Sequence, residues 1–392
     1  MTSRYKSFIT DQIVFVVVAI FLLFGIQARA SQPGAAVSSS YQIGVLAPLT
    51  GKYSEWGQYM QNGLLLASDV AQTDAFRLKP KIHFEDTRSS VKDAVGAFNK
   101  LVDQYSPIAI FAMDSEVAKA VAPLATDRKV LLLVTIAGGS NLFKPGDWAL
   151  RWYQNATSIG SALAEHAINA GYKRVAIIHE NHVFANSVNV AVVDALKKGN
   201  AKVSDTETFN SDDQSARDQA AKVIRSKPDA IIVSGTGGRP YVSAIRSLRE
   251  LGWGGPILSD DSMNLPNVQR DLENAAIGII FTTSAFDPMA PANELQQRFI
   301  DSYRAKYGQP PTDTAAYSYE FLLMAHQLVN AGATSSPSLY EKFRRMENHN
   351  TVFGPVSFGG NHELTLKMAL RVLVDEGGVH KAIPAGTQKS TR

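Results

Sequence analysis

From residue 41 onward, short apolar runs alternate with stretches in which apolar residues recur at helical spacing. Residues 42–46 form a β-rich run. In 55–71, Met60, Leu64, Ala67 and Ala71 share one helix face, with Ser54 placed as its N-cap. Residues 81–85 read as a strand, and Val91, Ala94, Val95, Phe98, Leu101 and Val102 fit a second helix face. A strand at 108–112, a helix at 117–126 and a strand at 130–134 follow. A second series starts after Trp152: a helix at 159–170, strands at 174–179, 202–209, 230–234, 256–258 and 278–283, and helices at 188–198, 214–225 and 242–251 between them. Helices at 291–307, 315–331 and 338–347 come next, then strand-like runs at 354–358 and 369–374. Strictly alternating strands and helices predict an α/β fold: two units, each a parallel sheet covered on both faces.

The N-terminus breaks this pattern. Arg4 and Lys6 precede an unbroken apolar run over 13–26, and Ala28-Arg29-Ala30 supplies a small-residue cleavage site. This reads as a secretory signal peptide over 1–30, too short for a membrane span of about 20 residues. Residues 31–40 are small and polar and read as a flexible lead. No Cys follows the signal, so no N-terminal lipid-modified cysteine is available.

Composition then removes several classes. The 392 residues carry 39 Lys and Arg against 36 Asp and Glu, a net charge of +3 that falls to +1 without residues 1–30. That balance argues against a nucleic-acid partner, which a basic excess would serve. With no Cys among 392 residues, disulfides, thiolate metal sites and cysteine nucleophiles are excluded. Gly44 and Gly51-Lys52 miss the phosphate-loop spacing, G-x-G-x-x-G is missing after the first strand, and neither G-x-S-x-G nor H-E-x-x-H occurs. His179 and His182 lie three apart at a strand-to-helix turn and read as ordinary loop polars. What remains is a set of Gly/Ser/Thr/Asp-rich loops after predicted strands, at 48–51, 113–115, 137–140, 235–239 and 259–262. In parallel sheets such loops line the crevice at the strands' carboxyl ends. Helix N-termini there suit a carboxylate, and Asp260 and Asp261 suit an ammonium.

The stretch from Tyr41 through Pro48 to Gly51, then Trp56-Gly57-Gln58 and Asn62-Gly63, resembles the opening of the leucine/isoleucine/valine-binding family, the type I periplasmic solute-binding proteins of ABC importers. The resemblance continues at Phe84–Thr87, Val175–His179, Pro228–Ile231 and Phe353–Phe358. It implies two doubly wound lobes joined by three crossovers: 41–152 plus 286–350, and 153–285 plus 351–380, with 381–392 as a tail. It implies a periplasmic monomer with no catalytic residue and no cofactor. Such a protein captures a small amino-acid-like or carboxylate solute by hinge closure and presents it to an inner-membrane ABC permease. A ligand sensor for a receptor and an exported α/β enzyme are the rival readings.

The family's ligand contacts carry over residue by residue. Its first-loop aromatic falls on Trp56, and its serine loop near Ser115. A backbone contact falls on Ala137. The threonine that holds the amino-acid groups falls on Gly139, with Ser140 beside it. The second-lobe tyrosine falls on Phe184, which has no hydroxyl, and another aromatic falls near Gly237. The acid that pairs with the ligand ammonium falls on Asp261. The polar clamp is therefore incomplete, and the pocket is expected to be roomier and less polar.

Overall fold

The computed structural model of the protein describes residues 40–358, 363–364, 368–377 and 380–385. The expected signal peptide, residues 31–39 of the lead and the end of the tail lie outside the described residues.

The chain runs β1 (Ser40–Ala47), α1 (Ser54–Thr73), β2 (Lys79–Asp86), α2 (Val91–Tyr105), β3 (Ala109–Met113), α3 (Ser115–Asp127), β4 (Leu131–Thr135) and β5 (Ala149–Trp152). These five strands form one wholly parallel sheet in the order β2-β1-β3-β4-β5. The second unit continues with α4 (Ala156–Asn169), β6 (Arg174–Glu180), α5 (Val183–Lys198), β7 (Lys202–Phe209), α6 (Arg217–Arg225), β8 (Ala230–Ser234), α7 (Arg239–Glu250), β9 (Ile257–Ser259), α8 (Pro266–Leu272) and β10 (Ile280–Ser284). Helices α9 (Glu294–Tyr307), α10 (Asp313–Asn330) and α11 (Ser336–Arg344) follow, then a small hairpin of β11 (His349–Thr351) and β12 (Gly354–Val356). The chain closes with β13 (Met368–Asp375) and β14 (His380–Pro384). The second sheet has the order β14-β13-β10-β9-β8-β6-β7, parallel except for β13 and β14, which add antiparallel at one edge.

Why these segments form strands is plain at β3, β4 and β8. Their five-residue runs (AIFAM, LLLVT, AIIVS) are buried at every position. Only a strand covered on both faces by helices needs such an unbroken apolar run. Tyr53, not Ser54, occupies the cap position of α1, and it makes no side-chain capping bond. The strand β5 was hidden because four residues between loops carry no period, and β14 because an edge strand pairs on one side only.

One face of the first sheet is covered by α2 and α3 and the other by α1, α10 and α11. Helices α10 and α11 thus return to the first sheet after the second unit's strands β6 to β10. In α10, 13 of 18 residues are buried, so it serves as a core helix rather than an amphipathic cover. It lies so close to α1 that a methyl group on Gly63 would overlap the backbone carbonyl of Ala315. Val356, Phe358 and Leu364 also pack in the first sheet's core. The tail was expected to rejoin the second lobe from 351. Of the described residues there, Val356, Phe358 and Leu364 lie in the first sheet's core, and β13 pairs in the second sheet.

Glu320 on α10 is buried and accepts the Val352 amide at 2.9 Å. Burial raises its pKa to about 7. A carboxyl with a raised folded-state pKa favours the fold while protonated. That contribution is complete below its unfolded value near 4.5 and is lost as pH rises through about 7. Glu320→Gln is expected to remove up to about 3 kcal/mol of that pH dependence. Comparing urea midpoints of both proteins between pH 4.5 and 8 checks it, and parallel profiles refute it.

Candidate functional site

Parallel strands point their carboxyl ends, and the helix N-termini that follow, in one direction. In both sheets those ends converge on one partly enclosed cavity between the two units. From the first unit it is lined by Tyr53 and Trp56 before and within α1, by Met113, Asp114 and Ser115 after β3, by Ile136 and Gly138 after β4, and by Tyr153 after β5. From the second come His182 and Phe184 after β6, Gly235 and Thr236 after β8, and Asp261 and Ser262 after β9.

Several contacts tie the two units together around this space. Trp56 donates its indole N–H to the Thr236 carbonyl at 3.2 Å and packs against the cores of both units. The Tyr153 hydroxyl donates to Asp261 Oδ2. Asp114 sits at φ +78°, a left-handed backbone that is uncommon outside glycine. This conformation lets its Oδ1 accept the Glu116 and Val117 amides at the start of α3, at 2.8 and 3.0 Å. Its Oδ2 lies 3.1 Å from Nε2 of His182, and Nδ1 of that histidine accepts the Phe184 amide. Burial works against charge on both members of the Asp114–His182 pair, but each favours the other's ionised form. Asp114 is therefore held below the ordinary carboxylate range, and His182 stands above the usual histidine value. Asp114, Glu116 and His182 bring donor atoms within 4.8 Å of one another, the grouping among the described residues with metal-ligand geometry. The capping bonds already account for where Asp114 and His182 sit.

The two adjacent acids differ. Asp260 accepts from Ser234 Oγ, the Gly235 amide and the Ser262 amide at 2.7–2.9 Å, so it braces two loops. Burial raises its pKa to about 6 against those bonds. Asp261 reaches the cavity wall. Burial first, and then the neighbouring Asp260 and Asp313 charges, push its pKa far above the carboxylate range, with Tyr153 opposing. A buried carboxyl so disposed gains from an incoming cation.

Of the residues expected from sequence, Trp56, Ser115, Phe184 and Asp261 line the cavity. Ala137, Gly139, Ser140 and Gly237 do not. The Ala137 and Gly139 carbonyls are turned back to accept from Arg151. The Gly139 amide is bonded to Ser115 Oγ, and the Ser140 amide to Ser187 Oγ. Gly237 faces Leu265 and Val268 within its own unit. Arg239, at the end of the 235–239 loop, donates to Gln214 Oε1. Gly138, unremarked beside Gly139, is the glycine with a cavity role, since a methyl there would come within 2.7 Å of the Phe184 ring. Tyr53, Asp114 and Thr236 also had no individual assignment, although all three lie in or beside the polar loops picked out by composition; His182, expected to be an ordinary loop polar, instead lines the cavity beside Asp114.

Comparison with known proteins follows this geometry. The family model of periplasmic binding proteins matches residues 40–378. The Leu/Ile/Val-binding protein of Escherichia coli is 23% identical over 337 residues, covering 84% of this chain and 89% of that protein. The crystal structure of the leucine-binding protein LivK from Thermotoga maritima superposes with a TM-score of 0.80 at 24% identity, over 88% of this chain and 97% of that one. A solute-binding protein of an ABC transporter from Rhodopseudomonas palustris, in complex with 3,4-dihydroxybenzoic acid, gives 0.78 at 18% identity, over 88% and 96%.

Proposed function

The chain belongs to the periplasmic binding protein family, whose members bind solutes and catalyse no reaction, and from that premise we propose that it is the substrate-binding component of an ABC importer. The observation that carries this reading is the cavity between two sheets, walled from both sides by strand-end loops. A solute enters the open cleft and rests on the first unit's Trp56, Ser115 and Tyr153. The second unit then closes with Phe184, Thr236 and Asp261, removing the solute from water. The bond from Trp56 to the Thr236 carbonyl and that from Tyr153 to Asp261 span the units and define the closed state. The closed form is what an inner-membrane permease engages. Residues 1–30 direct export and are removed, leaving a periplasmic monomer.

Mass action supplies the test. A solute at a hundred times its Kd stabilises the folded state by about 2.7 kcal/mol. Protein purified as expressed is expected to release a small organic solute on denaturation, seen by mass spectrometry. Restoring that solute to stripped protein is expected to raise Tm. Protein that yields no solute, and whose Tm no small organic solute raises, would overturn the reading.

A further inference from the structure

Resting on the solute-capture reading, we infer that the cavity takes an organic ammonium cation on an apolar or aromatic body, with no free carboxylate. An anion in such a cleft is held most strongly by unengaged helix-end amides or a fixed cation. Here the protein's own acceptors occupy amide after amide around the cavity. Asp114 takes those of Glu116 and Val117, Ser115 that of Gly139, and Ser187 that of Ser140. Across the cleft Glu180 takes the Thr236 amide at 2.7 Å, and Asp260 takes those of Gly235 and Ser262. None of the fourteen lining residues is Lys or Arg. The buried guanidinium of Arg151 is turned to the Ala137 and Gly139 carbonyls and to Glu363, and Lys52 lies over the Tyr53 ring without lining the cavity itself. His182 is the one lining group able to carry positive charge, and Asp114 stands 3.1 Å from it.

The ionisable group that remains for a ligand is the acid Asp261. The same cavity is lined by the aromatic rings of Tyr53, Trp56, Tyr153 and Phe184, of which Tyr153 bonds Asp261 directly. Aromatic faces attract an ammonium and give nothing comparable to a carboxylate. Tyr153, which donates to Asp261, holds the acid in place from the first unit, so the cation site is complete only when the units close. Burial and the adjacent acids make Asp261 reluctant to ionise alone, so an entering cation supplies the countercharge it lacks.

Two series of probes share a body and differ only in head group: isoamylamine, leucine and isocaproate, and tyramine, tyrosine and phloretate. Each is added to ligand-stripped protein and Tm is recorded. The amine of at least one series is expected to raise Tm by several degrees and to exceed its zwitterion and acid partners. A larger shift from a zwitterion or acid overturns the ammonium inference and leaves solute capture standing. No shift from any of the six overturns the ammonium inference. Solute capture falls with it only if protein purified as expressed also yields no bound solute. A second variant separates charge from shape. Asp114→Ala uncaps the Glu116 and Val117 amides and is expected to gain a shift with isocaproate or phloretate. If both acids remain inert there, the capped amides are not what excludes carboxylates, and the inference loses that support.

Discussion

Asp261→Asn is expected to weaken binding of the stabilising amine by about two to three orders of magnitude while making the free protein more stable at neutral pH. The first effect follows from removing one partner of a buried charge pair, which costs about 3–5 kcal/mol, at 1.4 kcal/mol per decade of affinity. Asparagine keeps the size of the side chain and an oxygen for the Tyr153 hydroxyl, so the loss reports charge rather than shape. The second effect has the opposite sign and a separate cause. Asp261 is faced by Asp260, Asp313, Tyr153 and Tyr317, and its folded-state pKa lies above its unfolded value. Such an acid supports the fold at low pH and loses that support as pH rises through its folded pKa. At neutral pH the wild-type protein therefore bears a strain that asparagine relieves. Isothermal titration with the amine, alongside Tm of both stripped proteins at pH 7.5, reads the two effects. Equal affinity in the two proteins would remove Asp261 from the binding role. A binding loss without a stability gain would point to a disrupted loop instead.

Trp152→Ala is expected to be the most destabilising of the substitutions considered, at about 3–5 kcal/mol. Trp152 ends β5, is fully buried, and meets Tyr317, Phe321 and Phe353 edge-on at centroid distances of 5.6–6.0 Å. Two of those rings belong to α10, so the residue links the last strand of the first sheet to a helix made far later in the chain. Its indole nitrogen is buried without a hydrogen-bond partner. Trp152→Phe therefore loses area but also sheds an unmet polar group, and it is expected to cost less than half as much. Urea midpoints for the three proteins check the order. A phenylalanine variant as unstable as the alanine one would show that the ring edges matter less than the volume.

The contrast between these residues explains what could be read from sequence. Strands such as Ala109–Met113 and Ala230–Ser234 were legible because burial on both faces forces an unbroken apolar run. Trp56, Phe184 and Asp261 were legible through the family resemblance, which aligns loops of similar length. Asp114 and His182 were not. Their importance comes from two helix caps meeting across a cleft, 68 positions apart in the chain, and no local period encodes that. Gly139 was chosen over Gly138 because alignment resolves a loop but not which of two glycines turns inward. The capped amides were hidden for a related reason. Each serine or acid that caps one looks, in sequence, like a group available to a ligand.

The late return of α10 and α11 to the first sheet also dictates an order of events as the chain is made. Strands β1 to β5 are complete by Trp152, yet the face formed by Phe111, Leu131, Leu133 and Trp152 is closed by Tyr317, Phe321, Leu322 and Phe343. Until those residues emerge, that side of the first sheet is covered by α1 alone while the second unit is added through β10. The nascent protein therefore passes through a long stage as a half-roofed sheet, a sticky species of the kind that chaperones shield. Closing it joins segments more than 160 residues apart, so the last step is a distant encounter and a slow one. A chain ending before residue 313 would never leave that stage.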